Sequence, residues 1–301
     1  MQLVATEVWG RYRVDKPFRL PFHSGSMFRG VLGRALRKVG CANRTSACKF
    51  DCEVPNRCTY ARLFDPPVPT PLPHRFLRGQ TRAPQPMIPL FPAPGRVDLQ
   101  EGAEVSLGVR VLGHLPEGEL EKLFATMDSL SDFDLGDEGG RVTFAGATLQ
   151  GRRELPIVTE TAAAGAQCIE VDLETPTWLE HNGRLMEQME FRSFFRAIYR
   201  RLTVLCTLYG VTNEADDAQF ERLDEMAASI AVTKQNLKAM QWQRRSLARE
   251  REHPMQGLLG RVIFASKDLG AFLTILRLAE KTHIGKATSH GLGRMRIFRV
   301  E

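Results

Sequence analysis

LVATEVWGRYRVDKPFRLPFHSGSMFRGVLGRALRKV, residues 3–39, sets the architecture expected for the whole chain. Leu3 to Tyr12 is rich in β-branched and aromatic residues and reads as a strand. A turn follows around Asp15-Lys16-Pro17. Pro21 to Ser26 then leads into a helix with a serine at its N-cap. From Met27 to Val39 the apolar positions are Met27, Phe28, Val31, Leu32, Ala35, Leu36 and Val39, one face at helical spacing. Arg29, Arg34, Arg37 and Lys38 occupy the other face, and Gly40 ends the helix.

Working outward, Ala103–Gly113 alternates as a strand, Glu117–Met127 is a helix, and Arg141–Gln150 is another strand. Between them, residues 66–94 hold 10 of the 17 prolines, which allows at most short strands. The order is strand, helix, weak strand, strand, helix, strand: the ferredoxin-like βαββαβ sequence. The second half repeats it. Cys168–Leu173 is a strand, Glu187–Tyr209 a long helix and Asp216–Ala228 another helix. Ile230–Trp242 is mixed but can hold a strand, and Leu258–Ala265 is a strand. Gly270–Glu280 is a helix and Arg294–Val300 a final strand. The fold class is therefore α+β, two tandem ferredoxin-like (RRM-like) domains. The first spans 1–155, with an inserted cysteine loop (41–58) and the proline-rich segment (66–94). The second spans 156–301, with a glycine-rich loop (281–294).

The 301 residues carry 41 Lys+Arg and 35 Asp+Glu, a net charge of +6. With 43% hydrophobic and 25% charged residues, the composition excludes a mostly disordered chain. No apolar run approaches the ~20 residues that span a bilayer, and no secretory signal opens the sequence. A cytoplasmic protein with no membrane partner is expected, its six cysteines reduced or bound to metal. Charge is uneven: residues 1–80 and 184–301 are basic, and 81–183 is acidic. A polyanion such as nucleic acid would meet the basic thirds and avoid the middle. Solvated faces that differ in sign are the plainer reading.

Two segments carry chemistry. KTHIGKATSHGLGR, residues 281–294, has three glycines, Gly285, Gly291 and Gly293, which let backbone N–H groups approach a phosphate. Lys281, His283, Lys286, His290 and Arg294 add donors. A tight helix-to-strand connection would need the same glycines. Cys41, Cys48, Cys52 and Cys58 are spaced C-x6-C-x3-C-x5-C. Four thiolates could close a structural zinc site or hold an iron–sulfur cluster, or they are simply reduced cysteines in a loop. Arg244 and Arg245 belong to an arginine cluster that suits an RNA backbone or a solvated face.

HIGKATSHGLGRMRI resembles the C-terminal glycine-rich signature of the RAMP superfamily. More narrowly, it resembles that of CRISPR-associated endoribonucleases (the Cas-six type) that cut precursor CRISPR RNA within its repeats. LPFHSGSMFRGVLGRALR at 20–37, CTYARLFDPP at 58–67 and MQGLLGRVIF at 255–264 agree with one branch of that family. The resemblance covers essentially the whole chain. It implies two ferredoxin-like domains, repeat RNA as substrate, metal-independent cleavage, and other Cas proteins as optional partners. A histidine near the start of the first helix recurs in the family as general acid or base, which points to His23. In this reading the RNA 2′-hydroxyl attacks the phosphate, leaving a 2′,3′-cyclic phosphate and a 5′-hydroxyl. Histidine suits the proton transfers because it titrates near neutrality.

Tyr12, Lys286 and His290 are the further catalytic candidates. Tyr12 is equally readable as a structural tyrosine at a strand end. His290 departs from the apolar or aromatic residue usual at that position. RNA-backbone contacts are expected from Arg29, Arg34, Arg37, Lys38, Arg244, Arg245, Lys281, His283, Gly285, Gly291, Gly293 and Arg294. A non-catalytic RNA-binding RAMP subunit and a zinc-dependent nucleic-acid-binding module are the alternatives.

Overall fold

A computed structural model describes residues 2–41, 58–91, 95–136, 139–156, 166–181, 183–210, 217–246 and 251–300. The chain divides into two compact units. One holds Leu3–Glu154 with Thr207–Val211; the other holds Met1–Gln2, Leu155–Cys206 and Thr212–Glu301.

The first unit is built from β1 (Gln2–Lys16), α1 (Gly25–Gly40), β2 (Met87–Leu90), β3 (Glu104–Leu112), α2 (Glu117–Asp128) and β4 (Arg141–Pro156). Its sheet order is β2-β3-β1-β4. The central strands β1 and β3 are antiparallel in the register Trp9↔Gly108, Arg11↔Ser106 and Arg13↔Glu104. That order, with both helices as crossovers, is the ferredoxin-like arrangement. Alternation along β1 explains the layering. Val8, Tyr12 and Val14 are buried in the core with Phe28, Leu32 and Leu36 of α1 and Leu123 and Met127 of α2. Trp9, Arg11 and Arg13 take the opposite face by the period of two. A separate two-stranded antiparallel ribbon pairs Phe18–Leu20 with Val97–Leu99.

The second unit repeats the plan with β5 (Cys168–Thr177), α3 (Phe191–Tyr209), α4 (Asp217–Ala227), β6 (Ala231–Ser246), β7 (Arg251–Ala265), α5 (Leu273–Thr282) and β8 (Met295–Val300). Its sheet order is β6-β7-β5-β8. The core is aromatic. Phe191 meets Phe264 and Phe272 edge-on at 4.9 and 5.0 Å between centroids, and Phe195 meets Phe272 at 5.2 Å. These edge-to-face contacts add to the area each ring buries.

Several expectations are corrected. β1 runs four residues past Tyr12, so Tyr12 lies within the strand and not at its end. Ser24 does occupy the N-cap of α1, but its hydroxyl donates to Pro21 O at 3.2 Å and caps no helical N–H. The segment Ile230–Trp242, mixed but able to hold a strand, does hold one: from Ala231 on it is part of the long strand β6, which β7 pairs from Ala231↔Ala265 to Ser246↔Arg251. The separation of basic and acidic thirds is not spatial. β1 from the first third and β3 from the acidic third are neighbours, and Lys38 reaches Asp132 at 2.7 Å. Among the described residues no helix is long and apolar enough to cross a membrane.

Candidate active site and nucleic-acid interface

His23 lies between the short strand Phe18–Leu20 and α1. The local sequence puts it there because Pro21 ends the extended run and Ser24 starts the helix. It was expected in an exposed loop, but it is only 6% exposed. Its imidazole meets the Phe91 ring edge-on, with centroids 5.3 Å apart. Downstream on α1, Arg34 and Lys38 are exposed, while Arg29 and Arg37 are half-buried. Arg29 stacks on Phe64 at 4.3 Å and Arg34 on Phe133 at 4.8 Å. Stacked guanidiniums keep their charge and hydrogen-bonding edges, so this face remains a cationic surface.

Tyr12 is fully buried, and its hydroxyl donates to Met127 O at 2.7 Å. Burial, with the charge of Asp128 second, pushes its phenol well above the ordinary value. A hydroxyl committed to a core carbonyl cannot reach RNA, so the catalytic expectation for Tyr12 is corrected to a structural one.

The glycine-rich loop is tied inward. Ile284 N–H donates to Gly293 O, Lys286 N–H to Trp178 O and Gly293 N–H to Pro176 O, all within 2.9–3.1 Å. Thr175 of β5 donates its hydroxyl to Gly291 O at 3.0 Å and accepts from Arg294 N–H at 2.8 Å. Gly285, Gly291 and Gly293 all have positive φ. At Gly293 a Cβ would strike the backbone of Ile284. The backbone donors expected to cradle phosphate are thus largely spent on the loop itself, and the tight-connection reading accounts for the glycines.

His283 is also corrected. It is 1% exposed, its Nδ1 lies 3.0 Å from Leu292 O, and Arg201 Nε donates to its carbonyl at 2.9 Å. It holds the loop and presents no surface to RNA.

Lys286 is exposed, its ammonium 2.5 Å from Glu180 Oε2, whose other oxygen accepts from Trp178 Nε1 at 2.8 Å. His290 and Lys281 are half-buried. Arg294 Nε lies 2.9 Å from Glu174. Arg244 is half-buried on β6, opposite His253 of β7. Arg245 follows it in the strand. This end of β6 and β7 forms a two-stranded ribbon beyond Leu258↔Thr177, the outermost β7–β5 pair.

Of the four clustered cysteines, Cys48 and Cys52 lie outside the described residues. Cys41 is half-buried, and Cys58 is buried with its thiol 3.6 Å from Gly40 O. One feature escaped the sequence reading. Trp9 lies against Gly108 across the strand pair, where any Cβ would collide with the indole. The alternation Trp9-Arg11-Arg13, an aromatic and two cations on one strand face, was the available signal.

The chain combines two ferredoxin-like units, a histidine at the head of a cation-bearing helix and a glycine-rich return to the last strand. A family model described as CRISPR-associated endoribonuclease Cas6 matches residues 171–295. A second, the AF_1859_N N-terminal domain, matches residues 3–166, more than half of the chain. The second half of the chain, residues 171–295, thus belongs to the Cas6 endoribonuclease family. Solved structures agree in fold. A Cas6 (TTHB231) product complex has a TM-score of 0.58 at 14% identity, covering 98% of this chain and 99% of that one. Thermus thermophilus Cas6 (TTHB231) by itself gives 0.56 at 14% identity over 97% and 98%. A partial Cas6-RT-Cas1–Cas2 complex gives 0.62 at 11% identity, covering 99% of this chain and 46% of that one. No curated protein sequence matches.

Proposed function

We propose that this protein cleaves CRISPR repeat RNA to mature crRNA without a catalytic metal. The 2′-hydroxyl attacks the adjacent phosphorus and the 5′-oxygen of the next nucleotide departs. The products are a 2′,3′-cyclic phosphate and a 5′-hydroxyl, with atoms and charge balanced by one proton taken and one returned. His23 carries a proton transfer, and the α1 cations, with Lys286 and His290, hold or neutralise the phosphate backbone. The position of His23 at the head of α1, on the helix that bears exposed Arg34 and Lys38, is the observation that carries this reading. Repeat RNA is the proposed ligand, and Cas proteins such as those in the Cas6-RT-Cas1–Cas2 assembly are the proposed partners. The four clustered cysteines are proposed as a structural zinc site with no chemical step. A purified protein with less than about half an equivalent of zinc would remove that part.

The burial of His23 favours a second reading, a non-catalytic RAMP subunit that only holds RNA. Incubation with the repeat RNA in EDTA separates the two. Cyclic-phosphate products that disappear in His23→Ala support the enzyme, and tight binding without cleavage supports the subunit.

A further inference from the structure

We infer that the first unit carries a pocket for one unpaired base of the bound RNA, beside Trp9 at the open end of β3. This inference rests on the RNA-processing reading above. A cavity of about 300 Å³ is lined by Trp9, Leu20, Phe91 and Leu99, with Glu104 and Ser106 as its polar members among others. That volume is at the lower end of the range for small-ligand pockets, and a mostly apolar wall with a few placed polar groups is how such pockets are built. Here two of the walls are aromatic. Stacking on aromatic rings is how single-stranded RNA bases are held, because every base has a π-face.

The strand register supplies the rest. Arg11 lies opposite Ser106 and Arg13 opposite Glu104, on the sheet face that carries Trp9. Both arginines are exposed, and among the described residues neither forms an ion pair. They flank the pocket with positive charge, as the phosphates on either side of an inserted base require. The indole is held flat against β3 because residue 108 is glycine. Its Nε1 is buried and, among the described residues, donates to none, a donor that costs stability unless an acceptor arrives. The Glu104 carboxylate is acceptor-only when ionised, so it favours a base with an exocyclic amine, cytosine, adenine or guanine, over uracil. An apolar peptide side chain would fill the walls but leave Glu104, Arg11 and Arg13 without partners. The chemistry therefore fits a nucleotide better than a protein segment.

The test is an abasic scan of the repeat RNA, with affinity measured for the wild type, Trp9→Leu, Trp9→Phe and Glu104→Gln. At one position, removal of the base should weaken wild-type binding about 5- to 150-fold, the range of base–aromatic stacking. Trp9→Leu should erase that penalty, Trp9→Phe should keep most of it, and Glu104→Gln should abolish the preference against uridine there. Equal penalties in wild type and Trp9→Leu overturn the pocket. Should Trp9→Leu fail to fold, a Glu104→Gln scan with unchanged base preference overturns it equally well. Cleavage by the wild type is read on the same RNAs. A pocket that fails in an RNA-cleaving protein leaves the proposed function standing. A pocket present in a protein that does not cleave leaves the pocket standing and removes the enzyme.

Discussion

The imidazole of His23 meets the ring of Phe91 edge-on at 5.3 Å and 81°, and Phe91 in turn lines the cavity that Trp9 walls on another side. One aromatic residue thus touches both the candidate proton-transfer group and the candidate base pocket.

The first prediction concerns His23 itself. General acid–base catalysis contributes about 10²- to 10⁴-fold. His23→Ala should slow single-turnover cleavage by that much while repeat-RNA affinity changes little, because the α1 cations remain. Phe91→Leu should lower the rate less, since it removes the packing that orients the ring and leaves the imidazole. Wild-type cleavage in His23→Ala would falsify the assignment and shift attention to His290 and Lys286.

Tyr12 gives the opposite expectation. Tyr12→Phe removes the hydroxyl donor to the Met127 carbonyl, which keeps the Ser129 N–H, a loss of about 0.5–1.5 kcal/mol. The denaturant midpoint should fall, and the cleavage rate at saturating RNA should not. A rate loss with unchanged stability would return Tyr12 to the catalytic set.

These two residues also show what the sequence could convey. Apolar periodicity located both ferredoxin-like halves, because each helix and central strand buries one continuous face and the spacing of Phe28, Leu32 and Leu36 states that face directly. It could not reveal that β6 and β7 stabilise each other as a long ribbon, since β6 is largely exposed and shows little burial pattern. Site residues were less legible for a related reason. Chemistry-bearing side chains such as Tyr12 and His283 look alike on paper whether their polar atoms face RNA or a core carbonyl. Only the partner, Met127 or Leu292, decides. Charge summed along the chain misled because a sheet interleaves distant segments. The acidic third supplies β3, directly beside the arginines of β1.

A third prediction follows from the ion pair that holds Lys286. Glu180 takes the Lys286 ammonium on one oxygen and Trp178 Nε1 on the other. Glu180→Gln removes the competing charge and keeps a carbonyl for the indole. If Lys286 serves a phosphate, RNA should bind more tightly at low salt, and the logarithmic salt slope should steepen by up to about one unit. An unchanged slope would place Lys286 outside the RNA contact.

The last prediction concerns stability in acid. Asp224 of α4 receives Arg192 at 2.7 Å and Arg196 at 2.5 Å, both from α3. The Arg196 hydrogen bond, opposed by burial and reinforced by Arg192, draws its carboxyl down to about 2. An unfolded aspartate titrates at about 3.9, so the folded state binds the proton less readily than the unfolded one. The resulting stability is complete above about pH 4 to 5 and is lost as pH falls toward 2. The arginine side chains are 40% and 50% exposed, so solvent screens part of the attraction, and about 1–2 kcal/mol is the expected size. Asp224→Asn should therefore lower the denaturant midpoint at neutral pH, and its difference from wild type should shrink to near zero by pH 2. A deficit that persists undiminished in acid would mean that the asparagine disturbs packing between α3 and α4 and not a titrating ion pair.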